Sequence, residues 1–176
     1  MTEINARAHE AETIAKEKFV ITRIFDAPHE QVWKAWTEAE RLGQWWGPKG
    51  FAMGVINFDL RPDGVFHYSM RTPDQHEMWG KFVYREMAAP ERIVFVNSFA
   101  DADGRLIRCP FSPTWPLEVV NTLTLSEHDN RTTLTLQGSP INATEEELKT
   151  FVAGFESMKQ GFSGTWDQLS EYLAKA

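Results

Sequence analysis

Residues 59–74 read DLRPDGVFHYSMRTPD, a stretch in which two turn signals enclose one run of alternating residues. Pro62-Asp63-Gly64 precedes the run and Pro73-Asp74-Gln75 follows it, and both are typical of tight turns. Every second position of the run is apolar or aromatic, namely Phe66, Tyr68 and Met70. A period of two places these side chains on one side of a strand. The stretch therefore predicts one strand of an antiparallel sheet with an aromatic face.

The same pattern extends over residues 52–138, where further turn signals at 89–90, 103–104 and 129–130 indicate six strands in meander order. Tight turns fix the register, and the register decides which side chains share a face. The predicted pairs are Leu60 with Phe66, Phe58 with Tyr68, Ile56 with Met70, Met70 with Met78, Tyr68 with Gly80, Phe66 with Phe82, Phe82 with Phe95, Gly80 with Asn97 and Met78 with Phe99. A last hairpin around residues 128–130 pairs Leu125 with Thr132, Leu123 with Leu134, Asn121 with Leu136 and Val119 with Gly138.

Two short helices are predicted before these strands. Residues 18–26, KFVITRIFD, form a first strand, and a helix follows it. A second helix begins at residues 37–40, TEAE, which have the spacing of a capping box, and runs to Trp46, where Gly47-Pro48 ends it. Because adjacent helical residues point about 100° apart, Trp45 and Trp46 do not fill the same space. One tryptophan is expected to anchor the helix and the other to face a cleft.

The chain ends in a strongly periodic helix. It begins near Thr144, and residues 145–147, three glutamates, suit its N-terminal dipole. Apolar residues then recur at spacings of three and four from Leu148 to Leu173. At about 1.5 Å per residue the helix is about 45 Å long, enough to cross the sheet. We therefore predict an α+β fold in which an antiparallel sheet wraps around one long C-terminal helix, with two short helices after the first strand.

This order of elements resembles the helix-grip fold of the START-like (SRPBCC) superfamily. The segments FDAPHEQVWKAWTEAERLGQWWGPKGF, DLRPDGVFHYSMRTPD, EMWGKFVYRE, APERIVF, PTWPLE and FESMKQGFSGTWDQLSEYL resemble the family named for the C-terminal domain of the activator of heat-shock-protein-90 ATPase. The resemblance covers residues 18–174 as a single domain and leaves residues 1–17 as a polar tail. It implies the fold, whereas the family's members range from chaperone-associated domains to antibiotic-resistance proteins. One departure is Gln75, where members usually have glycine, and a left-handed glutamine costs about 1 kcal/mol.

The composition narrows the classes of function. The chain carries 18 Lys and Arg against 25 Asp and Glu, a net charge of -7. This balance argues against nucleic acid and against an anionic membrane surface as partners. The single cysteine, Cys109, has no partner for an internal disulfide, and the N-terminal residues contain no apolar run that would act as a signal or a membrane span. We expect a cytoplasmic protein.

No motif of catalysis or metal binding is found in the sequence. The five histidines fall on separate predicted elements, so we predict no metal and no cofactor. Asp59 and His67 are predicted neighbours on the outer face of the sheet, where a solvated surface pair is favoured. Cys109 follows Arg108, but no base or oxyanion donor is fixed beside it. There is no serine elbow and no dinucleotide fingerprint.

An aromatic cleft between the sheet and the last helix is the predicted site. Gly80 leaves room between Tyr68 and Asn97, either for a ligand or for close approach of the helix. Buried amides need partners, so Asn97 and Asn121 suit a ligand with a few polar groups, unless both are satisfied within the protein. The predicted ligand-binding residues are Trp45, Trp46, Phe66, Tyr68, Met70, Met78, Gly80, Phe95, Asn97, Trp115, Phe155, Met158 and Phe162.

Three functions fit this fold, two that use the cleft and one that uses an outer surface. We favour a binding protein for a small hydrophobic or aromatic molecule. The second is an enzyme of the cyclase or hydrolase type that uses Tyr68, Asn97 or Lys159 as proton donor or orienting group, although the chain lacks a clear acid–base pair and Lys159 is expected to extend to solvent. The third is a chaperone-associated interaction domain. Its surface, which would also suit a homodimer, is the outer face with Trp79, Val83, Val94 and Val96.

Overall fold

The computed structural model describes residues 17–176. In this part of the chain, seven antiparallel strands form one sheet and four helices flank it. The strands are β1 (Phe19–Phe25), β2 (Ala52–Phe58), β3 (Val65–Arg71), β4 (Glu77–Ala88), β5 (Arg92–Ala100), β6 (Val119–His128) and β7 (Arg131–Pro140), and the helices are α1 (His29–Thr37), α2 (Ala39–Trp45), α3 (Glu145–Ala153) and α4 (Phe155–Lys175). The spatial order is β1-β7-β6-β5-β4-β3-β2. The predicted α+β helix-grip arrangement is confirmed, and residues 1–16 of the predicted tail lie outside the described residues.

The register between β3 and β4 is the one that the turn at residues 73–75 predicts. The pairs are Met70 with Met78, Tyr68 with Gly80 and Phe66 with Phe82. Gln75 takes a φ of 71°, the left-handed position that its place in the turn requires. We call the side of the sheet that carries Tyr68 the inner face.

The other three predicted registers are wrong by two or three residues. A bulge at Ile56 makes Phe58 face Phe66, Val55 face Tyr68 and Met53 face Met70, and Ile56 is left 51% exposed. A second bulge at Arg85 and a shorter turn give the pairs Tyr84 with Phe95, Phe82 with Asn97 and Gly80 with Phe99. The last hairpin pairs Leu125 with Leu134, Leu123 with Leu136, Asn121 with Gly138 and Val119 with Pro140. A shift of two keeps each side chain on its predicted face, because the strand period is two.

The turn of the last hairpin explains its shift. Asp129 and Asn130 both have positive φ, 52° and 62°, as in the two-residue turn that matches the twist of antiparallel strands. The predicted pairs close the hairpin around His128 to Asn130 with the centre of the turn between His128 and Asp129. The structure pairs His128 with Arg131 and so centres the turn one residue later, which moves every pair by two. Aspartate and asparagine tolerate the left-handed conformation better than most residues, so this short loop is accessible to the sequence.

The long C-terminal helix is interrupted. The capping box at Thr144 is present, since its hydroxyl accepts from the Glu147 amide at 3.1 Å and the Glu147 carboxylate accepts from the Thr144 amide at 3.1 Å. The helix stops at Gly154, whose φ and ψ are -87° and 0°, and α4 starts at the next residue. Prediction of one continuous helix of about 45 Å is therefore wrong; the 21 residues of α4 span about 30 Å. Glycine has a low helix propensity, but Gly161 and Gly164 lie inside α4 without a break, so propensity alone does not place the end of α3.

The start of α2 also differs from the prediction. Residues 37–40 form no capping box: the Thr37 hydroxyl donates to the Trp33 carbonyl of α1 at 2.8 Å, and the helix begins after Glu38 without a side-chain cap. At its other end α2 finishes at Trp45. Trp46 is extended, with φ -69° and ψ 145°, and Gly47 has a φ of 104°, which favours glycine.

The core lies between the inner face and helices α1, α2 and α4. At its centre the ring of Trp36 lies 4.8 Å from that of Trp45 and 5.8 Å from that of Trp166, and all three are buried. On the sheet, Phe82 and Phe95 stack at 4.2 Å. Aromatic burial on this scale dominates the energetics of a core. These residues fill the space beside α1 and α2, and the space beside the loop between β5 and β6 is left open.

Candidate functional site

A cavity of about 450 Å³ lies between the inner face, helix α4 and the loop of residues 101–118. Every lining residue is uncharged: Trp46, Gly47, Pro48, Tyr68, Met70, Gly80, Asn97, Ser98, Phe99, Cys109, Phe111, Ser112, Trp115, Pro116, Val119, Asn121, Gly154, Ser157, Met158, Gly161, Phe162 and Thr165. A concave, mostly apolar space with few polar groups has the character of a small-molecule site.

The structure brings together eight of the thirteen predicted site residues. These eight line the cavity: Trp46, Tyr68, Met70, Gly80, Asn97, Trp115, Met158 and Phe162. The other five lie away from it, because the register shifts and the core packing use them elsewhere. Trp45, Phe66 and Phe95 are buried in the core, Met78 packs at its edge, and Phe155 packs on Phe19 and Phe151 at ring distances of 5.7 and 5.4 Å.

The two neighbouring tryptophans take different roles. Trp45 is 1% exposed and its Nε1 donates to the Ala35 carbonyl at 3.0 Å, so it fixes α2 against α1. Trp46 lies 5.0 Å from Phe82 between ring centroids and forms part of the cavity wall. The expected division into an anchor and a cleft-facing residue matches this placement, with Trp45 as the anchor.

Small residues on α4 create much of the cavity. The helix presents Ser157, Met158, Gly161, Phe162 and Thr165 to it, and Gly154 adjoins the cavity just before the helix begins. These residues form a stripe at spacings of three and four. A Cβ built at Gly161 would have no atom within 4 Å. The sequence prediction of this helix used the apolar residues only and missed the small ones beside them, although their spacing was a usable signal.

The loop between β5 and β6 forms the outer wall. It contributes Cys109, Phe111, Ser112, Trp115 and Pro116, of which Phe111 is 72% exposed and so stands at the mouth of the cavity. Apart from Trp115, these residues are not among the predicted site residues. An irregular loop has no periodic pattern from which the direction of its side chains can be predicted.

Polar contacts tie this loop to α3. Arg108 Nη1 donates to Glu147 Oε2 at 2.8 Å, and the hydroxyl of Thr150 donates to that of Thr114 at 2.9 Å. Glu147 is buried. Hydrogen bonds from Arg108 and from the Thr144 amide hold the pKa of Glu147 below its usual range. The wall of the cavity is therefore fixed to the helix by a charged pair.

Glu147→Gln is expected to make the free energy of unfolding depend less steeply on pH in the acid range. Because the folded pKa of Glu147 is lowered, its contribution to stability is present above the unfolded pKa and is lost as the pH falls through the folded value. Urea unfolding of both proteins between about pH 6 and about pH 3 measures this slope. The matched control is Glu146→Gln, a change at the exposed neighbour. If the free energy of unfolding depends equally on pH in the wild type and in Glu147→Gln, the carboxylate of Glu147 does not contribute to stability in this way.

The phenol of Tyr68 lies across Gly80. A Cβ built at Gly80 would be 2.5 Å from the Tyr68 hydroxyl oxygen, so the room that this glycine leaves is filled by tyrosine and not by the helix backbone. Asn97 Nδ2 donates to the Tyr68 hydroxyl at 3.3 Å and to the Lys81 carbonyl at 3.1 Å. Burial raises the pKa of Tyr68 although hydrogen bonds from Trp46 and Asn97 oppose the shift. The phenol therefore stays protonated near neutral pH.

Asn121, on the strand next to that of Asn97, repeats this arrangement. It is buried, and a Cβ built at its partner Gly138 would lie 2.8 Å from Asn121 Oδ1. Its Nδ2 donates to the Val119 carbonyl at 3.3 Å. The predicted site omits Asn121, although its inward direction follows from the sequence pattern.

Other candidate groups lie outside the cavity. Lys159 is 53% exposed and pairs with Glu156 at 3.9 Å. The predicted surface pair of Asp59 and His67 is wrong: Asp59 pairs with Arg61 at 2.7 Å, whereas His67 is buried and its Nε2 lies 3.0 Å from the Asp101 carbonyl oxygen. Within residues 17–176 no three His, Cys, Asp or Glu are grouped so as to hold a metal ion. No helix in that range is both long and apolar enough to cross a membrane.

Comparison with known proteins identifies relatives of this fold. A protein from Mycobacterium smegmatis, Ms6760, is 28% identical, with a TM-score of 0.72 over 89% of this chain and 90% of that one. A protein from Staphylococcus epidermidis is 25% identical, with a TM-score of 0.71 over 91% of both chains. One from Arthrobacter aurescens is 24% identical, with a TM-score of 0.77 over 93% of this chain and 89% of its own.

No curated protein matches the chain. A family model does match it, over residues 26–174, which include every strand from β2 onward, the first three described helices and all of α4 except its last residue. The matched residues also contain the whole lining of the cavity. By this match the protein belongs to the family described as Activator of Hsp90 ATPase homolog 1-like protein.

Proposed function

We propose that this protein binds a small hydrophobic, partly aromatic molecule in the cavity between the inner face and α4. The observation that carries the proposal is the cavity itself, whose volume of about 450 Å³ falls within the range of about 300–1,000 Å³ usual for small-molecule sites. Its walls are mainly aromatic, aliphatic and sulfur-containing. Each Å² of apolar ligand surface buried there contributes about 25 cal/mol to binding before the cost of association.

The chemistry of the lining favours binding over turnover. Among the lining residues, all of which lie in the described range, there is no carboxylate, imidazole or amine. General acid–base catalysis needs a group that titrates near the working pH. Burial moves the pKa of Tyr68 upward, away from that range. The cavity therefore lacks the pair of groups that a cyclase or hydrolase of this architecture would use.

The outer face gives less support to a protein-interaction role. Val94 and Val96 are buried, and Trp79 and Val83 are half-buried. These four residues therefore do not form a contiguous exposed apolar patch of the kind that marks an interface. This surface therefore gives no support to the chaperone or the homodimer alternative.

Native mass spectrometry with thermal-shift screening tests the proposal. We expect either a co-purified small molecule, lost under denaturing conditions, or saturable stabilisation by small aromatic compounds. At a free ligand concentration about 100 times the Kd, the melting temperature of a protein of this size should rise by roughly 5–10 °C. The absence of both an adduct and a shift across a screen of hydrophobic metabolites would contradict the proposal.

A further inference from the structure

Three polar side chains face an otherwise mostly apolar cavity from the sheet. We call Tyr68 on β3, Asn97 on β5 and Asn121 on β6 the polar cluster. All three line the cavity, and Tyr68 and Asn121 are more than nine-tenths buried. Buried hydrogen-bonding groups without partners are unfavourable. The hydrogen-bond donors and acceptors of this cluster that have no partner in the protein therefore indicate which complementary groups a ligand carries.

Two glycines make room for the polar cluster. Tyr68 pairs across the strands with Gly80, and Asn121 pairs with Gly138. A Cβ at either glycine would come within 2.8 Å of the polar tip of its partner, closer than packed atoms approach. Both polar side chains thus lie flat across a neighbouring strand, and their oxygen atoms are held at the cavity wall.

Hydrogen bonds set the direction of both amides. Asn97 Nδ2 is engaged by the Lys81 carbonyl and by the Tyr68 hydroxyl, and Asn121 Nδ2 by the Val119 carbonyl. Among residues 17–176 no side chain donates to the Oδ1 of either asparagine, and no acceptor takes the proton of the Tyr68 hydroxyl. The cluster thus offers one hydroxyl donor and two amide acceptors to a bound molecule.

Charge limits the class of ligand further. No Asp, Glu, Lys, Arg or His lines the cavity within the described chain, and the amine of Lys159 is directed to Glu156 and solvent. An ion transferred into such a space would exchange part of its hydration for a mostly apolar wall without a counter-ion, which is unfavourable. A carboxylate is therefore a poor fit, whereas a neutral group that both donates and accepts a hydrogen bond suits the cluster.

We propose that the polar cluster recognises the hydroxyl group of a neutral phenol or aromatic alcohol. The ligand hydroxyl donates to Asn97 Oδ1 and accepts from the Tyr68 hydroxyl, which lies beside Asn97. Asn121 Oδ1, on the neighbouring strand β6, offers a second acceptor. The aromatic body of the ligand contacts Trp46 and Phe162, which line the same space. This inference rests on the proposed function, because it specifies the molecule that the cavity binds.

Three naphthalene probes separate the inference from the proposed function. Isothermal titration calorimetry at about pH 7, with the protein in the syringe because hydrocarbons are sparingly soluble, compares 2-naphthol, 2-methylnaphthalene and 2-naphthoate. 2-Naphthol and 2-methylnaphthalene have similar shapes, but 2-naphthol carries a hydroxyl group where 2-methylnaphthalene carries a methyl group. We expect 2-naphthol to bind about 10-fold more tightly than 2-methylnaphthalene, and 2-naphthoate to bind most weakly of the three.

Variants assign the preference to the polar cluster. In Tyr68→Phe and Asn97→Leu, the ratio of the two affinities should fall to about one while 2-methylnaphthalene still binds. Tyr84→Phe makes the same change at a buried tyrosine that does not line the cavity and whose hydroxyl makes no hydrogen bond in the described chain, so it should leave the ratio unaltered. Equal affinities of 2-naphthol and 2-methylnaphthalene in the wild type, an unchanged ratio in both polar variants, or tighter binding of 2-naphthoate would each overturn the inference and leave the proposed function standing. Binding of none of the three probes would count against both.

Discussion

Trp45→Ala is expected to lower the free energy of unfolding by about 3–5 kcal/mol. The Trp45 ring lies 4.8 Å from that of Trp36 and 5.8 Å from that of Trp46, and it is 1% exposed. Alanine removes the ring from the centre of the core and deprives the Ala35 carbonyl of the indole that donates to it at 3.0 Å. Urea unfolding at about 25 °C, with the slope checked against the wild type, measures the loss.

Trp46→Ala is the matched comparison. Trp46 lines a cavity that already exists, so its removal enlarges that cavity and creates no new one in the core. The loss of stability should therefore be smaller than for Trp45→Ala, and the loss of affinity for a hydrophobic ligand larger. Trp45→Phe keeps an aromatic ring, so it should lose less stability than Trp45→Ala. Equal losses of stability in the two alanine variants would contradict the division into anchor and wall.

The alternation of apolar residues was enough to predict the inner face but not the pairing across it. Tyr68, Met70 and Phe82 lie on the face that their period predicts. Bulges at Ile56 and Arg85 displaced two of the registers. A bulge depends on how the sheet twists over its core, and no residue type at those positions requires one. Turn residues also leave the register open. Both the turn at residues 73–75 and the turn at residues 129–130 contain residues typical of turns, yet the first loop has three residues and the second has two.

The C-terminal helix shows how tertiary packing decides an element's end. Its apolar period continues through Gly154, so the pattern alone predicts one helix. A Cβ at Gly154 would lie 3.2 Å from the ring of Trp115, a residue far away in the sequence. The break and the tryptophan together shape the cavity, and neither effect is visible from local propensity.

Candidate site residues on regular elements were easier to predict than those on the loop. Tyr68, Gly80 and Asn97 were placed by strand alternation, and Met158 and Phe162 by helix period. Cys109 and Phe111 belong to a segment whose path is set by the contact between Arg108 and Glu147. Gly161 is absent from the predicted site because helix periodicity is judged from large apolar side chains. A cavity forms where such side chains are missing.

Gly161→Leu is expected to weaken binding of a small hydrophobic molecule by about 10- to 100-fold while the fold becomes slightly more stable. A Cβ at this position meets no atom within 4 Å, and the residue lines the cavity and is exposed at its rim. A leucine side chain is therefore expected to occupy the open space beside the ligand. Overfilling a packed site by this amount costs roughly 1–3 kcal/mol, which is the source of the expected loss. Replacing glycine inside a helix should itself add about 0.5–1 kcal/mol to the free energy of unfolding.

Gly164→Ala separates the effect on the helix from the effect on the cavity. Gly164 lies on the same helix but does not line the cavity, and a Cβ there makes an ordinary contact of 3.6 Å with the Cβ of Lys49. This variant should gain similar stability and bind 2-methylnaphthalene as the wild type does. If Gly161→Leu folds with raised stability and retains full affinity in calorimetry, the ligand occupies a different part of the protein. If binding is lost only in Gly161→Leu, the cavity against α4 is where the molecule binds, because the two variants share the same helix and differ in what their side chains reach.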